Sequence, residues 1–153
     1  MINIEVFSEE KAWSKKLKQK KLFFDNVCKA FPKKYQFLNK KVKLSLLLSN
    51  NKNIRRLNRN FRSKNKPTDV LSFPFKKQLR IKKNTYLGDI IISYNFVNNS
   101  KTKNLKIFKD KLIKIFIHGF LHLLNFDHKK VKDYNIMLRE EKLIYKSIIS
   151  KLN

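Results

Sequence analysis

His118, His122 and His128 are the only histidines in this chain, and they fall within eleven residues: His118-Gly119-Phe120-Leu121-His122-Leu123-Leu124-Asn125-Phe126-Asp127-His128. His118 and His122 are four apart, so on a helix they project from one face. Two neutral imidazoles at that spacing can grip one divalent ion. Asn125 stands where the helix must stop, and after glycine it is the residue that best tolerates a left-handed helix cap. A turn there folds His128 back toward the other two. Three imidazoles with one open position make a catalytic zinc site, whereas a fourth protein ligand closes a structural one. The bland alternative is a chance pair of satisfied core histidines. The lack of histidine elsewhere and the helix stop before His128 favour the metal. In the helical zinc-protease motif a glutamate follows the first histidine as general base, but here that place holds Gly119, which argues against peptide hydrolysis by that route.

The elements that must carry these residues are readable from periodicity. Ile2 to Phe7 alternates as a strand, and Ser8-Glu9-Glu10 is a helix start, with a helix expected to about Ala30, before Pro32. Val42, Leu44, Leu46 and Leu48 alternate with Lys41, Lys43, Ser45 and Leu47, a strand with one buried face. Ser49 or Asn50 caps a next helix whose apolar stripe is Ile54, Leu57 and Phe61. Asp69 to Phe73 is a short strand ended by Pro74, and Tyr86 to Tyr94 another. Leu105 to Leu124 is an apolar helix that carries the first two histidines. Asp133 to Leu152 is a last helix, with Tyr134, Met137, Leu138, Tyr145, Ile148 and Leu152 on its inner side. The order βαβαββαα, with short strands and long helices, implies an α+β or α/β layered domain. Gly88 and Gly119 are the only glycines, and each marks a place where a side chain does not fit.

The 153 residues make one ordinary domain, 1–153, large enough to bury a core without staples. Charge is the outlying feature. The chain has 37 Lys and Arg against 11 Asp and Glu, a net charge of +26. Drift toward AT-rich codons supplies Lys, yet it does not suppress Glu, whose codons are equally permissive. Part of the excess therefore points to an anionic partner, nucleic acid first and an anionic membrane surface second. Cys28 is the only cysteine, which excludes an internal disulfide and fits a reducing compartment. Met1 to Glu10 lacks a signal pattern, and Leu112 to Phe126 is too short to span a bilayer. The expected location is the cytoplasm. Neither Ser72 nor Cys28 has a visible base partner, so no chemistry is assigned to them.

The stretch His118 to His128 resembles the H-G-x-L-H-L-x-G-[YF]-D-H signature of the YbeY family of bacterial rRNA maturation nucleases. Leu57-Asn58, Phe61-Arg62, Lys66-Pro67-Thr68-Asp69-Val70-Leu71-Ser72-Phe73-Pro74 and Leu87-Gly88-Asp89-Ile90 resemble the family in the same order. Asn125 departs from it, standing where the family has Gly, and can adopt the same backbone conformation. The charge also departs, being far more positive than the family's.

The resemblance implies a small mixed sheet packed by helices, with a zincin-like metal helix beneath a cleft. It implies one Zn²⁺ per chain on His118, His122 and His128, and Arg62 as the functional arginine. It further implies maturation of the 3′ end of small-subunit rRNA, ribosome quality control, and RNA and the ribosome as partners, with no membrane role and no DNA specificity. Zinc on three histidines brings bound water to a pKa of about 7, so water or the substrate's own 2′-OH would attack. Arg62 offers a planar, permanently charged fork for phosphate. Lys64 and Lys66 share its basic loop and suit the RNA backbone. Asp127 either orients an imidazole from behind or is a turn aspartate, and for Asp69 and Asp89 structural hydrogen bonding is expected. Two rivals stay open: an rRNA-binding assembly factor with a structural zinc, and a metallopeptidase whose carboxylate is Asp89 or Glu140.

Overall fold

The computed structural model describes residues 1–153. Four strands form one mixed sheet in the order β1-β2-β4-β3. β1 (Ile2–Ser8), β2 (Lys41–Ser49) and β4 (Asn84–Ser93) run parallel, and β3 (Val70–Pro74) lies antiparallel to β4 at the edge. The helices are α1 (Trp13–Lys16), α2 (Lys20–Lys29), α3 (Asn51–Arg62), α4 (Tyr94–Val97), α5 (Leu105–Leu123) and α6 (Val131–Leu152). The architecture is the α+β layering the element order implied.

Alternation on β2 decides which face is dry. Val42, Leu44, Leu46 and Leu48 are fully buried, while Lys41 and Lys43 stay exposed on the other face. α5 packs beneath the dry face against β3 and β4, with α6 beside it and α2 under β1. The space between is filled by Trp13, Phe24, Phe31, Phe108, Phe116 and Phe120. α5 is thus a central helix, buried along most of its length. α3 lies on the opposite face over a small cluster of Ile54, Leu71 and Ile91. Asn50 caps it as expected, its side chain accepting from the Asn53 N–H at 2.9 Å.

Three details differ from the sequence reading. The helix expected from Ser8 to Ala30 is broken into α1 and α2, with Leu17 extended between them. Trp13 ties α1 to the end of β2 by donating from Nε1 to the Ser49 carbonyl at 2.9 Å, whereas α2 follows β1, so the chain must change direction. On α6 the buried residues are Met137, Glu140, Ile144 and Ile148, and Tyr134 and Leu152 are exposed. The true stripe passes through a carboxylate, which a search for apolar spacing overlooks. Finally, Phe61 does not complete a buried stripe with Ile54 and Leu57. It is 68% exposed and meets Phe73 edge to face at 5.4 Å, because the last turn of α3 overhangs the edge strand.

Candidate metal centre

The centre begins with Gly119, where α5 comes closest to the sheet. A Cβ there would lie 3.0 Å from Ile90 Cγ2, 3.1 Å from Ser72 Oγ and 3.1 Å from Val70 Cγ2. Contacts that tight leave no room for a side chain. Ser72 adds a tie, donating from Oγ to the Gly119 carbonyl at 2.8 Å. Gly88 is needed for a different reason: its φ of +137° is foreign to L side chains, and a Cβ would lie 2.2 Å from the Phe73 carbonyl oxygen. Both glycines therefore mark exclusion, and together they hold α5 against β3 and β4.

α5 ends at Leu123, and Asn125 takes the left-handed conformation at φ 68°. The turn brings His128 back onto the helix. The three rings then form a triangle with centroids 4.6, 5.0 and 5.4 Å apart, and one ligand atom from each lies within 4.8 Å of the others. No Cys, Asp or Glu joins this group. Asn125 has a second task that a glycine could not perform. Its side-chain oxygen accepts from the Leu79 N–H at 2.9 Å, which ties the basic 75–83 loop to the turn.

The ring nitrogens test whether a cation fits. His118 Nδ1 lies 2.8 Å from Glu141 Oε1, and His122 Nδ1 lies 3.0 Å from the Phe126 carbonyl oxygen. Both partners only accept, so both Nδ1 atoms carry protons. That leaves the two Nε2 lone pairs facing each other at 3.1 Å. Two acceptors held so close need a shared cation, a proton or a metal ion, and His128 as a third imidazole makes the donor set fit a divalent ion. Burial and the neighbouring His118 hold the pKa of His122 below its ordinary value, and Arg62 adds to the effect. His122 is therefore neutral, as a ligand must be.

Glu141 is the functional residue the sequence reading missed. Its place on α6, facing a histidine on α5, is a tertiary fact with no local signature. Asp127 makes no hydrogen bond to an imidazole. It accepts from the His128 N–H at 2.7 Å and the Lys129 N–H at 3.3 Å, and these bonds lower its pKa. Its bearing on the site runs through the backbone of the turn.

Arg62 is the last residue of α3, exposed and free of any acidic partner, and near enough to His122 for its charge to help lower that imidazole's pKa. Lys64 and Lys66 are exposed in the loop that follows, also without ion pairs. Asp69 is structural in contact, accepting from the Val70 N–H at 2.8 Å. Asp89 bonds the Tyr86 hydroxyl, and Glu140 bonds Tyr35 and Lys34. Neither carboxylate joins the imidazole triangle, so neither supplies the base the metallopeptidase rival needs. Burial raises the Cys28 thiol to about 12, which leaves it inert.

Comparison with known proteins gives the chain's relatives and the fold it shares. The family described as "Endoribonuclease YbeY" matches residues 4–149. The chain is 59% identical over 152 residues to a protein of Pelagibacter ubique named "Endoribonuclease YbeY", covering 99% of each. It is 38% identical over 138 residues to the protein of that name from Ehrlichia canis, covering 90% of this chain and 86% of that one. The solution structure of a Thermotoga maritima protein superposes with a TM-score of 0.59 at 25% identity, covering 98% of this chain and 91% of that one.

Proposed function

The chain belongs to the YbeY endoribonuclease family, and on that premise we propose that it is a zinc-dependent endoribonuclease that cuts single-stranded RNA in maturing the 3′ end of small-subunit rRNA. In this reading it serves ribosome biogenesis and quality control in the cytoplasm, with rRNA and the ribosome as its partners. No helix is long and apolar enough to cross a membrane. The observation that carries the reading is the facing pair of Nε2 atoms, each backed by an acceptor on its Nδ1. Those nitrogens and His128 would hold one Zn²⁺, which supplies Lewis acidity toward a phosphodiester oxygen.

The chain's own groups do the rest. Glu141 and the Phe126 carbonyl fix the tautomers and aim the rings. The Arg62 guanidinium, beside His122, pairs with the non-bridging oxygens as their charge grows. Lys64, Lys66 and the arginines of α3 hold the RNA backbone without reading its sequence. The test is to incubate zinc-loaded protein with precursor small-subunit rRNA, with and without chelator, beside a His118→Ala variant. Cleavage should need both the metal and His118. RNA that is bound but never cut by the loaded protein would overturn the reading in favour of an assembly factor.

A further inference from the structure

The face of the sheet opposite α5 carries a groove that the reading above does not use. It occupies about 650 Å³ between α3 and β1, and its walls include Phe7, Leu57, Phe61 and Phe73, with Ser45 and Asp89 on its floor. Phe61 and Phe7 are 68% and 55% exposed, an unusual cost for large rings on a monomer's surface. One edge strand, β3, separates the groove from α5, the helix that carries His118 and His122. Phe73 faces the groove, while the preceding residue, Ser72, points the other way and bonds the Gly119 carbonyl of α5. At the rim Phe61 is followed directly by Arg62, whose charge is felt at His122. The flank of α3 adds Arg56 and Arg59, neither of them ion-paired.

We propose that this groove is a nucleobase subsite, in which the Phe61 ring stacks an unpaired base adjoining the phosphate held at Arg62 and Phe73 buttresses Phe61 from the side. The proposal rests on the endoribonuclease reading and extends it to substrate positioning. Chemistry on the floor selects a base over an apolar protein helix. An apolar partner helix would strip water from the exposed Asp89 carboxylate and leave it only the Tyr86 hydroxyl as a side-chain donor, which is costly. A base brings a π-face for the Phe61 ring and N–H groups along its edge for Asp89 to accept. Phe61 keeps most of its surface exposed beside its tilted contact with Phe73, so its ring is available to stack. Such a subsite takes only unpaired bases, since a paired base hides both its face and its edge.

The experiment measures binding in chelator, so that it does not depend on cleavage. Full-length protein is titrated with a single-stranded oligoribonucleotide carrying one 2-aminopurine, and with an abasic sugar-phosphate chain of equal length and charge. The wild-type protein should quench the 2-aminopurine and prefer the RNA to the abasic chain. Phe61→Ala should weaken RNA binding by about 5- to 100-fold and leave the abasic chain unaffected. Phe61→Tyr should restore most of the affinity and Phe61→Leu little of it. Equal losses for RNA and abasic chain, or full affinity in Phe61→Leu, would overturn the stacking role. Equal binding of RNA and abasic chain by the wild-type protein would show that only the phosphate backbone is held and would overturn the subsite. Stacking without any cleavage in zinc would sink the nuclease reading and leave the subsite standing.

Discussion

Glu141 Oε1 lies 2.8 Å from His118 Nδ1, so a carboxylate on α6 sets the tautomer of a histidine on α5. The contact spans two helices and 23 residues of sequence. It makes the last helix part of the metal centre rather than a lid on the core. Glu141→Ala should lower zinc affinity by roughly 10- to 100-fold while the fold survives, and Glu141→Gln should lose less, because its amide oxygen still accepts. Competition with a chromophoric chelator gives the affinity. Unchanged affinity in Glu141→Ala would reduce the contact to a surface ion pair.

Arg62→Ala should cut RNA cleavage by roughly 10²- to 10³-fold and leave zinc content unchanged, the cost of one preorganised charge-stabilising donor. Arg62→Lys should recover only part of this, since an ammonium cannot form the paired contact. The control is Arg56→Ala, which removes the same charge from the RNA-holding flank of α3 and should weaken binding rather than the saturated cleavage rate. Arg55 is a poorer control, because its Nε donates to Asn65 at 3.0 Å and shapes the loop itself. Single-turnover rates at one ionic strength decide the matter. Should Arg62→Ala and Arg56→Ala lose equally little, Arg62 is a surface cation.

Glu140 makes stability depend on pH. Burial pushes its carboxyl pKa up, but hydrogen bonds from Lys34 and Tyr35 outweigh this and hold it below 4.5. A carboxylate whose folded pKa is depressed stabilises the protein above its unfolded pKa. That stabilisation fades as pH falls from about 4.5 through the lower folded value. Denaturant melts should therefore show an acid-side loss in the wild type that flattens in Glu140→Gln. Glu140→Leu should cost about 1–3 kcal/mol at neutral pH, since the Tyr35 hydroxyl is left without its acceptor. Parallel pH profiles for wild type and Glu140→Gln would refute the assignment.

Gly119→Ala should destabilise the fold by about 1–3 kcal/mol, as overpacking a filled site does, despite alanine's better helix propensity. The added methyl pushes against Ile90, Val70 and Ser72, and either these side chains give by a few tenths of an ångström or α5 shifts with both its histidines. Weaker zinc binding should accompany the lower melting temperature. A variant as stable as the wild type would show that the helix has slack there. Combining it with Ser72→Ala tests the crowding directly, because one of the three obstructing atoms is removed.

The histidine triangle was legible in the sequence because its parts are local. A spacing of four fixes two rings on one helix face, and a left-handed Asn125 fixes the return of His128. Gly88 and Gly119 were legible too, because in a chain with only two glycines each one signals a backbone that excludes a side chain. The first two strands were marked by alternation, the order of elements implied an α+β or α/β layered domain, and the mixed, helix-packed sheet was what the family resemblance implied. What only the tertiary structure decided lies between elements. Glu141 reaches His118 because α6 packs along α5, and no periodicity encodes which polar residue meets which ring. Glu140 lies inside the α6 stripe because Tyr35 and Lys34, about a hundred positions away, satisfy it. Phe61 has the spacing of a core residue and is exposed, because α3 outruns the edge strand beneath it. Local spacing determines where a side chain points on its own element, and only packing determines what it meets there.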